Sequence, residues 1–252
     1  MPLSFDHALV TVPSLADACM DFAAAGFTVT AGGKHEGTPT ENALVVFGDG
    51  TYLELFALRE PGMRDDLRSR RTWRDVDALG RRFLPAFLGP YGVADCVFRT
   101  PGLERYVSTA KLRGVPVDGP FSMGRERPDG VRLAWKLALP MSRELPFLIE
   151  DITPIERRIP DAPERRVHAN GASGVTTIEI AVGDVDAALE LWRQWLELGA
   201  MSREDGAAWV QAGSVRIRLY TAGGGRPGTQ RLSLAGANAL PESVTGLRVG
   251  VA

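Results

Sequence analysis

Lysine is almost missing from this 252-residue chain, which carries Lys34, Lys111 and Lys136 among 29 lysines and arginines. Nothing about function follows from that bias. Cysteine is nearly as scarce: Cys19 and Cys96 form no C-x-x-C pair and give no disulfide framework, so a reduced, cytoplasmic setting is expected. Long hydrophobic runs are absent. The stretch 133–140 is broken by Lys136, far short of the roughly 20 apolar residues that a membrane span needs. No basic segment followed by an apolar one opens the chain, so no export signal is expected. An excess of one charge is lacking too; the formal net charge of −2 offers no general pull toward nucleic acid. The arginines between positions 64 and 82 are interleaved with Asp65, Asp66, Asp75 and Asp77, as on a solvated, ion-paired helix face. Neither Gly48-Asp49-Gly50 nor Gly223-Gly224-Gly225 leads into a phosphate loop, and Gly-x-Ser-x-Gly does not occur.

What is present begins with a repeat. Asp6-His7 runs on to Pro13-Ser14-Leu15 and Gly26, and Ala94-Asp95 runs on to Pro101-Gly102-Leu103 and Gly114, offset by 88 residues at each landmark. With 44% apolar and 24% charged residues, the chain can bury a substantial core in one or two domains.

The first copy reads as a strand at 5–12, a helix at 15–25 ended by Gly26, and strands at 27–30, 42–47 and 51–58. The second reads as a strand at 93–99, a helix at 103–113 and strands at 121–125, 131–139 and 145–151, with Pro128-Asp129-Gly130 as a hairpin turn. A weaker third copy has a strand at 175–182, a helix at 185–198 and strands at 208–211 and 215–220. A further strand is expected at 246–251, pairing with that copy. These readings predict an α+β fold of repeated βαβββ modules. They divide the chain into paired modules over 1–152 (5–58 and 93–151), an extended linker at 153–173, and the third module with its tail at 174–252. The helical linker at 59–92, with a helix expected around 73–84, is read as a packing helix in preference to a lid over the cup.

Strand alternation places His7 on one face with Phe5 and Leu9, and Glu54 with Tyr52 and Phe56. A carboxylate among aromatics needs a compensating cation or donor. A metal shared by His7 and Glu54 meets that need, and so does a buried ion pair. His35 lies in the glycine-rich segment 32–37, from which it could reach the mouth of the cup or simply stay exposed. For His168, in the second linker, a structural hydrogen bond is expected. Trp135 either packs in the core or lines a pocket.

Three segments carry a family resemblance: Asp6-His7-Ala8-Leu9-Val10; Gly32-Gly33-Lys34-His35-Glu36-Gly37-Thr38 with Asn42-Ala43-Leu44; and His168-Ala169-Asn170-Gly171-Ala172. With Tyr52-Leu53-Glu54-Leu55, they resemble the vicinal oxygen chelate superfamily, and within it glyoxalase-like proteins (the glyoxalase, bleomycin-resistance and extradiol dioxygenase fold). The resemblance implies two modules paired into a curved-sheet cup, a third degenerate module, and a divalent metal (Zn, Ni, Mn or Fe(II)) held by His7 and Glu54 with His35 and Asp95. Glu54 and Glu150 are the expected catalytic carboxylates, and Tyr52 and Trp135 are expected against the substrate. The function implied is a metal-dependent enzyme acting on a small oxygenated molecule, of lyase, isomerase or dioxygenase type. The alternative is a metal-free small-molecule binding or antibiotic-sequestering protein on the same fold. The expected partners are that small molecule and a second copy of the chain in a homodimer, with neither nucleic acid nor membrane. In the third module Thr177 and Arg218 stand at the His7 and Glu54 positions, so no metal site is expected there.

Overall fold

In the computed structural model, which describes residues 3–60, 62–69, 78–159, 161–196 and 201–250, the first copy folds as β1 (Ser4–Thr11), α1 (Leu15–Ala24), β2 (Thr30–His35), β3 (Thr40–Val46) and β4 (Tyr52–Leu58). Ser14 starts α1 by accepting a hydrogen bond from the Asp17 backbone N–H at 3.3 Å. Helices α2 (Met63–Ser69) and α3 (Ala78–Leu88) follow. The second copy comprises β5 (Gly92–Arg99), α4 (Leu103–Leu112), β6 (Val117–Glu126), β7 (Arg132–Pro140) and β8 (Phe147–Asp151). After α5 (Ile155–Arg158) and a 3-10 turn at Pro163–Arg165 come β9 (Gly174–Val182), α6 (Val185–Trp195), β10 (Met201–Glu204), β11 (Ala207–Ala212), β12 (Val215–Thr221), β13 (Gly228–Ala235) and β14 (Leu247–Val249).

The first eight strands close a barrel in the order β1-β4-β3-β2-β6-β7-β8-β5. One seam is the antiparallel pair β1 and β5, and the other is the short pairing of Lys34 and His35 in β2 with Glu126 and Arg125 in β6. Glycine makes the second seam possible. Gly33 has φ +141°, and a Cβ there would lie 2.3 Å from the Glu126 carbonyl oxygen. The glycine-rich segment is therefore mainly strand, and β2 lies several residues later than the sequence pattern suggests.

A six-stranded sheet, β10-β11-β12-β9-β13-β14, repeats the barrel's own order β2-β3-β4-β1-β5-β8 without counterparts of β6 and β7. The directions match as well: β12 is parallel to β9 as β4 is to β1, and β13 is antiparallel to β9 as β5 is to β1. Strands β10 and β13 were not expected from the sequence, although Arg231-Leu232-Ser233-Leu234 in β13 does alternate. The tail strand does pair within this sheet, alongside β13.

The outer face of the barrel, helices α1, α4 and α6, and one face of the second sheet share a single apolar core built around Phe22, Phe98, Ile178 and Trp192. Trp192 and Trp195 tie α6 to the barrel by donating to the carbonyls of Glu144 and Pro146, each at 2.8 Å. A second cluster lies inside the barrel, where Leu9, Phe56, Trp135, Leu137, Phe147 and Ile149 meet Phe87 of α3. Helix α3 runs through Pro85 and packs over this interior; residues 73–77 of the expected helix lie outside the described residues. No helix among the described residues is long and apolar enough to cross a membrane.

Candidate functional site

The barrel encloses a cavity of about 470 Å³. Its wall is mostly apolar: Leu9, Phe56, Trp135, Leu137, Phe147 and Ile149 from the strands, with Leu79, Phe83, Leu84 and Phe87 from α3. One end is polar, formed by His7, His35, Asn42, Tyr52, Glu54, Arg125 and Arg158. The linker helix thus packs and also covers the apolar end.

Hydrogen bonds order the polar end. A register shift between Phe5 and His7 bulges β1 at Asp6, sending Phe5 outward onto Phe98 while His7 and Leu9 face the cavity. Simple alternation had placed Phe5 with His7. The bulge also brings Asp6 Oδ1 within 2.6 Å of His7 Nδ1, and Arg158 holds both Asp6 oxygens at 2.7 and 2.9 Å. His7 Nε2 then meets Glu54 Oε2 at 3.1 Å, and the His7 ring stacks on Tyr52 with centroids 4.4 Å apart. Asn42 donates to Glu54 Oε1 at 2.7 Å, and His35 Nε2 stands 3.5 Å from that same oxygen.

Electrostatics assigns the protons. Burial would raise the Asp6 carboxyl, but Arg158 and His7 outweigh it and hold Asp6 far below the usual carboxylate range. Burial would likewise raise Glu54, yet the bond and charge of His7, with His35 and Asn42, bring it down to about 2. For His7 burial works against the charge, while the bonds to Asp6 and Glu54 prevail and raise its pKa. The two carboxylates thus favour the charged form of the His7 ring. His35 is the opposite case, since burial, assisted by Arg125 and Arg59, pushes it down to about 4 and leaves the ring neutral.

The other sequence candidates are placed apart. Asp95 does not line the cavity: Arg82 of α3 binds its two oxygens at 2.7 and 2.8 Å, and donates as well to the carbonyls of Pro140, Ser142 and Leu145. Glu150 faces away from the cavity because Ile149 takes the inward position, and its carboxylate accepts from the Gly102 and Leu103 N–H groups at the start of α4. Gly102 gives α4 no side-chain cap, so Glu150 supplies one from another strand. Tyr52 and Trp135 do line the cavity. His168 accepts the Thr28 N–H at 3.0 Å, the structural bond expected for it. Asn42, Arg125, Arg158 and the role of Asp6 were not foreseen; the Arg158 bond to Asp6 spans 152 residues, and no local pattern marks it.

Two imidazoles and a carboxylate are suitable donor types for Zn, Ni, Mn or Fe(II). Their arrangement here does not fit one. Asn42 aims an N–H at Glu54 Oε1 and stands 3.4 Å from His35 Nε2, so a hydrogen-bond donor fills the space a cation would need. Among the described residues, no group of three or more His, Cys, Asp or Glu side chains is set to hold a metal ion.

A family model described as a glyoxalase-like domain matches residues 5–196. The chain belongs to this glyoxalase-like family. Its fold is that of the vicinal oxygen chelate superfamily, with the expected α+β class and βαβββ-like elements. This glyoxalase-like chain is similar to a hypothetical protein from Staphylococcus aureus known from a crystal structure, with 16% identity, a TM-score of 0.78, and 98% of this chain and 99% of that one covered. It is also similar to a 4-hydroxymandelate synthase mutant from Streptomyces coelicolor (15% identity, TM-score 0.55, 93% of this chain and 71% of that one). A third likeness is to a xylose isomerase-like TIM barrel/4-hydroxyphenylpyruvate dioxygenase fusion protein (14% identity, TM-score 0.52, 93% and 36%). At these identities the likeness is one of fold. No match was found among curated proteins.

Proposed function

We propose that the barrel cavity binds a small, largely apolar molecule carrying a carbonyl or hydroxyl oxygen, and that His7 donates a proton to that oxygen. The observation behind this reading is the combination in one cavity of an apolar wall with a histidine whose two ring nitrogens are fixed by different carboxylates. Asp6 accepts a hydrogen bond from Nδ1–H and sets the ring orientation, which leaves the Nε2 proton shared between Glu54 and any ligand oxygen placed beside it. The two carboxylates raise the His7 pKa and so favour retention of that proton. Glu54, held at about 2, is a weak base and a strong counter-ion, so it positions His7 and stabilises its charge. Chemistry of this kind belongs to proton-transfer reactions such as isomerisation or elimination next to a carbonyl. No step is assigned to a metal, since the donors are satisfied by one another.

The test uses naphthalene, 2-naphthol and 2-naphthaldehyde as probes. All three should raise the Tm of the wild-type protein, the oxygenated two more strongly. Leu137→Trp, which fills the cavity, should remove the shift, and His7→Gln should remove the advantage of the oxygenated probes. Failure of every probe to bind would sink the reading. Stoichiometric Zn, Ni, Mn or Fe in protein purified without chelator, lost in both His7→Ala and Glu54→Ala, would replace it with the metal-dependent one.

A further inference from the structure

Arg125 is 2% exposed, lines the cavity, and has no ion-pair partner among the described residues. Its hydrogen bonds go to uncharged acceptors: Nη1 donates to the Gly32 carbonyl and Nη2 to the Arg158 carbonyl at 3.3 Å, while Nε donates to no protein atom. The other buried charges at this end are matched among the described residues, while Glu36 at the cavity rim is exposed. Asp6 is shared by Arg158 and Arg99, Asp151 is held by Arg158, and Glu54 faces His7. A buried guanidinium without a carboxylate is unfavourable unless something supplies the missing charge. Burial lowers the Arg125 pKa, and the attraction of Tyr52 and Glu54 does not offset it.

We propose that the ligand of this cavity is an apolar carboxylate, its anionic group held by Arg125 and its apolar body against Trp135 and Phe56. This inference rests on the cavity being a ligand site and narrows its chemical class. Arg125 lies directly across the β2–β6 seam from His35, and the His35 ring meets Trp135 and Phe56 edge-on with centroids 6.1 and 5.6 Å apart. The anion site therefore sits where the polar end meets the apolar wall. A guanidinium can hold a carboxylate through two N–H groups, and burial removes the competition from water. His7 and Glu54 lie within the same polar end, so a carboxylate on Arg125 would also orient the rest of the molecule toward them.

The experiment compares 2-naphthoate with its neutral isostere 2-naphthamide on the full-length protein and on Arg125→Met and Arg125→Lys. In the wild type the carboxylate should bind about 10-fold or more tighter than the amide, the scale of a charge-assisted hydrogen bond. Arg125→Met should bind both alike and, without ligand, melt no lower than wild type, because it removes an unmatched buried charge. Arg125→Lys should keep part of the preference. Equal binding of both probes to the wild type overturns the carboxylate assignment while leaving the cavity reading intact. Binding of neither probe overturns the cavity reading, and this one with it. A preference that survives in Arg125→Met, or a fold lost in that variant through its bonds to Gly32 and Arg158, marks Arg125 as structural and overturns the proposal.

Discussion

Asp6 and His7 are neighbours in sequence, yet their side chains meet, with Asp6 Oδ1 2.6 Å from His7 Nδ1. Successive residues of a regular strand point to opposite faces; the bulge at Asp6 brings these two onto one hydrogen bond. The rest of the polar end follows from that contact, because it fixes which nitrogen of His7 faces Glu54.

Replacing Asp6 with Asn should therefore do two separable things. It takes away one of the two carboxylates that hold the buried Arg158, Asp151 being the other, and should reduce stability by about 1.5 to 3 kcal/mol in urea unfolding. It also withdraws one of the two carboxylates that raise the His7 pKa, so the ring should titrate lower when followed by NMR. A His7 pKa that stays put in this variant would show that Glu54 alone sets it.

Stability should fall on the acid side in two stages. His35 titrates at about 4 in the fold against 6.5 in the ordinary state, so the unfolded chain binds more protons between these values and stability declines as pH falls through them. The size of that decline is on the order of 3 kcal/mol. Glu54, at about 2 against 4.5, adds a further loss as pH falls from 4.5 toward 2. His7 has the opposite sign: its contribution is complete below 6.5 and is lost as pH rises through its raised value. Denaturant midpoints across pH for His35→Gln should lose the first stage and keep the second; an unaltered slope between 6.5 and 4 would count against a buried neutral His35.

The Arg82–Asp95 pair should prove structural. Arg82→Ala strands Asp95, 4% exposed, without its partner and should destabilise the protein by about 3 to 5 kcal/mol, whereas the double replacement Arg82→Met with Asp95→Leu should recover part of the loss, the carbonyls of Pro140, Ser142 and Leu145 still lacking their donor. Naphthol binding should be unchanged in the double variant, which calorimetry can check. Lost binding there would put Asp95 back among the ligand contacts.

Glu150→Gln should weaken the start of α4 by about 1 kcal/mol, the scale of a lost helix cap with its favourable dipole interaction. Probe binding in the cavity should not change, and a changed affinity would contradict the outward placement of this side chain.

The repeat at 88-residue spacing, the Ser14 start of α1 and the apolar runs of β1, β4, β5 and β7 are local signals, and local signals were enough for the βαβββ order. Strand β2 was misplaced because Gly32 and Gly33 look like loop residues, when they serve the close approach of β2 to Asn42 and β6. His7 and Glu54 could be singled out because a histidine and a carboxylate among apolar neighbours stand out in a strand pattern. Asp95 and Glu150 stood out by the same repeat but are taken up by Arg82 and by the α4 N-terminus.

By itself, then, the sequence determined the class of fold, the duplicated units and the pair of polar residues on the barrel strands, since each depends on periodicity within a short window. Only the tertiary structure decided what those residues do. The bulge that joins Asp6 to His7, the reach of Arg158 across the chain, and the burial of Arg125 without a counter-charge all depend on contacts between distant segments. The charge balance of the polar end follows from those contacts.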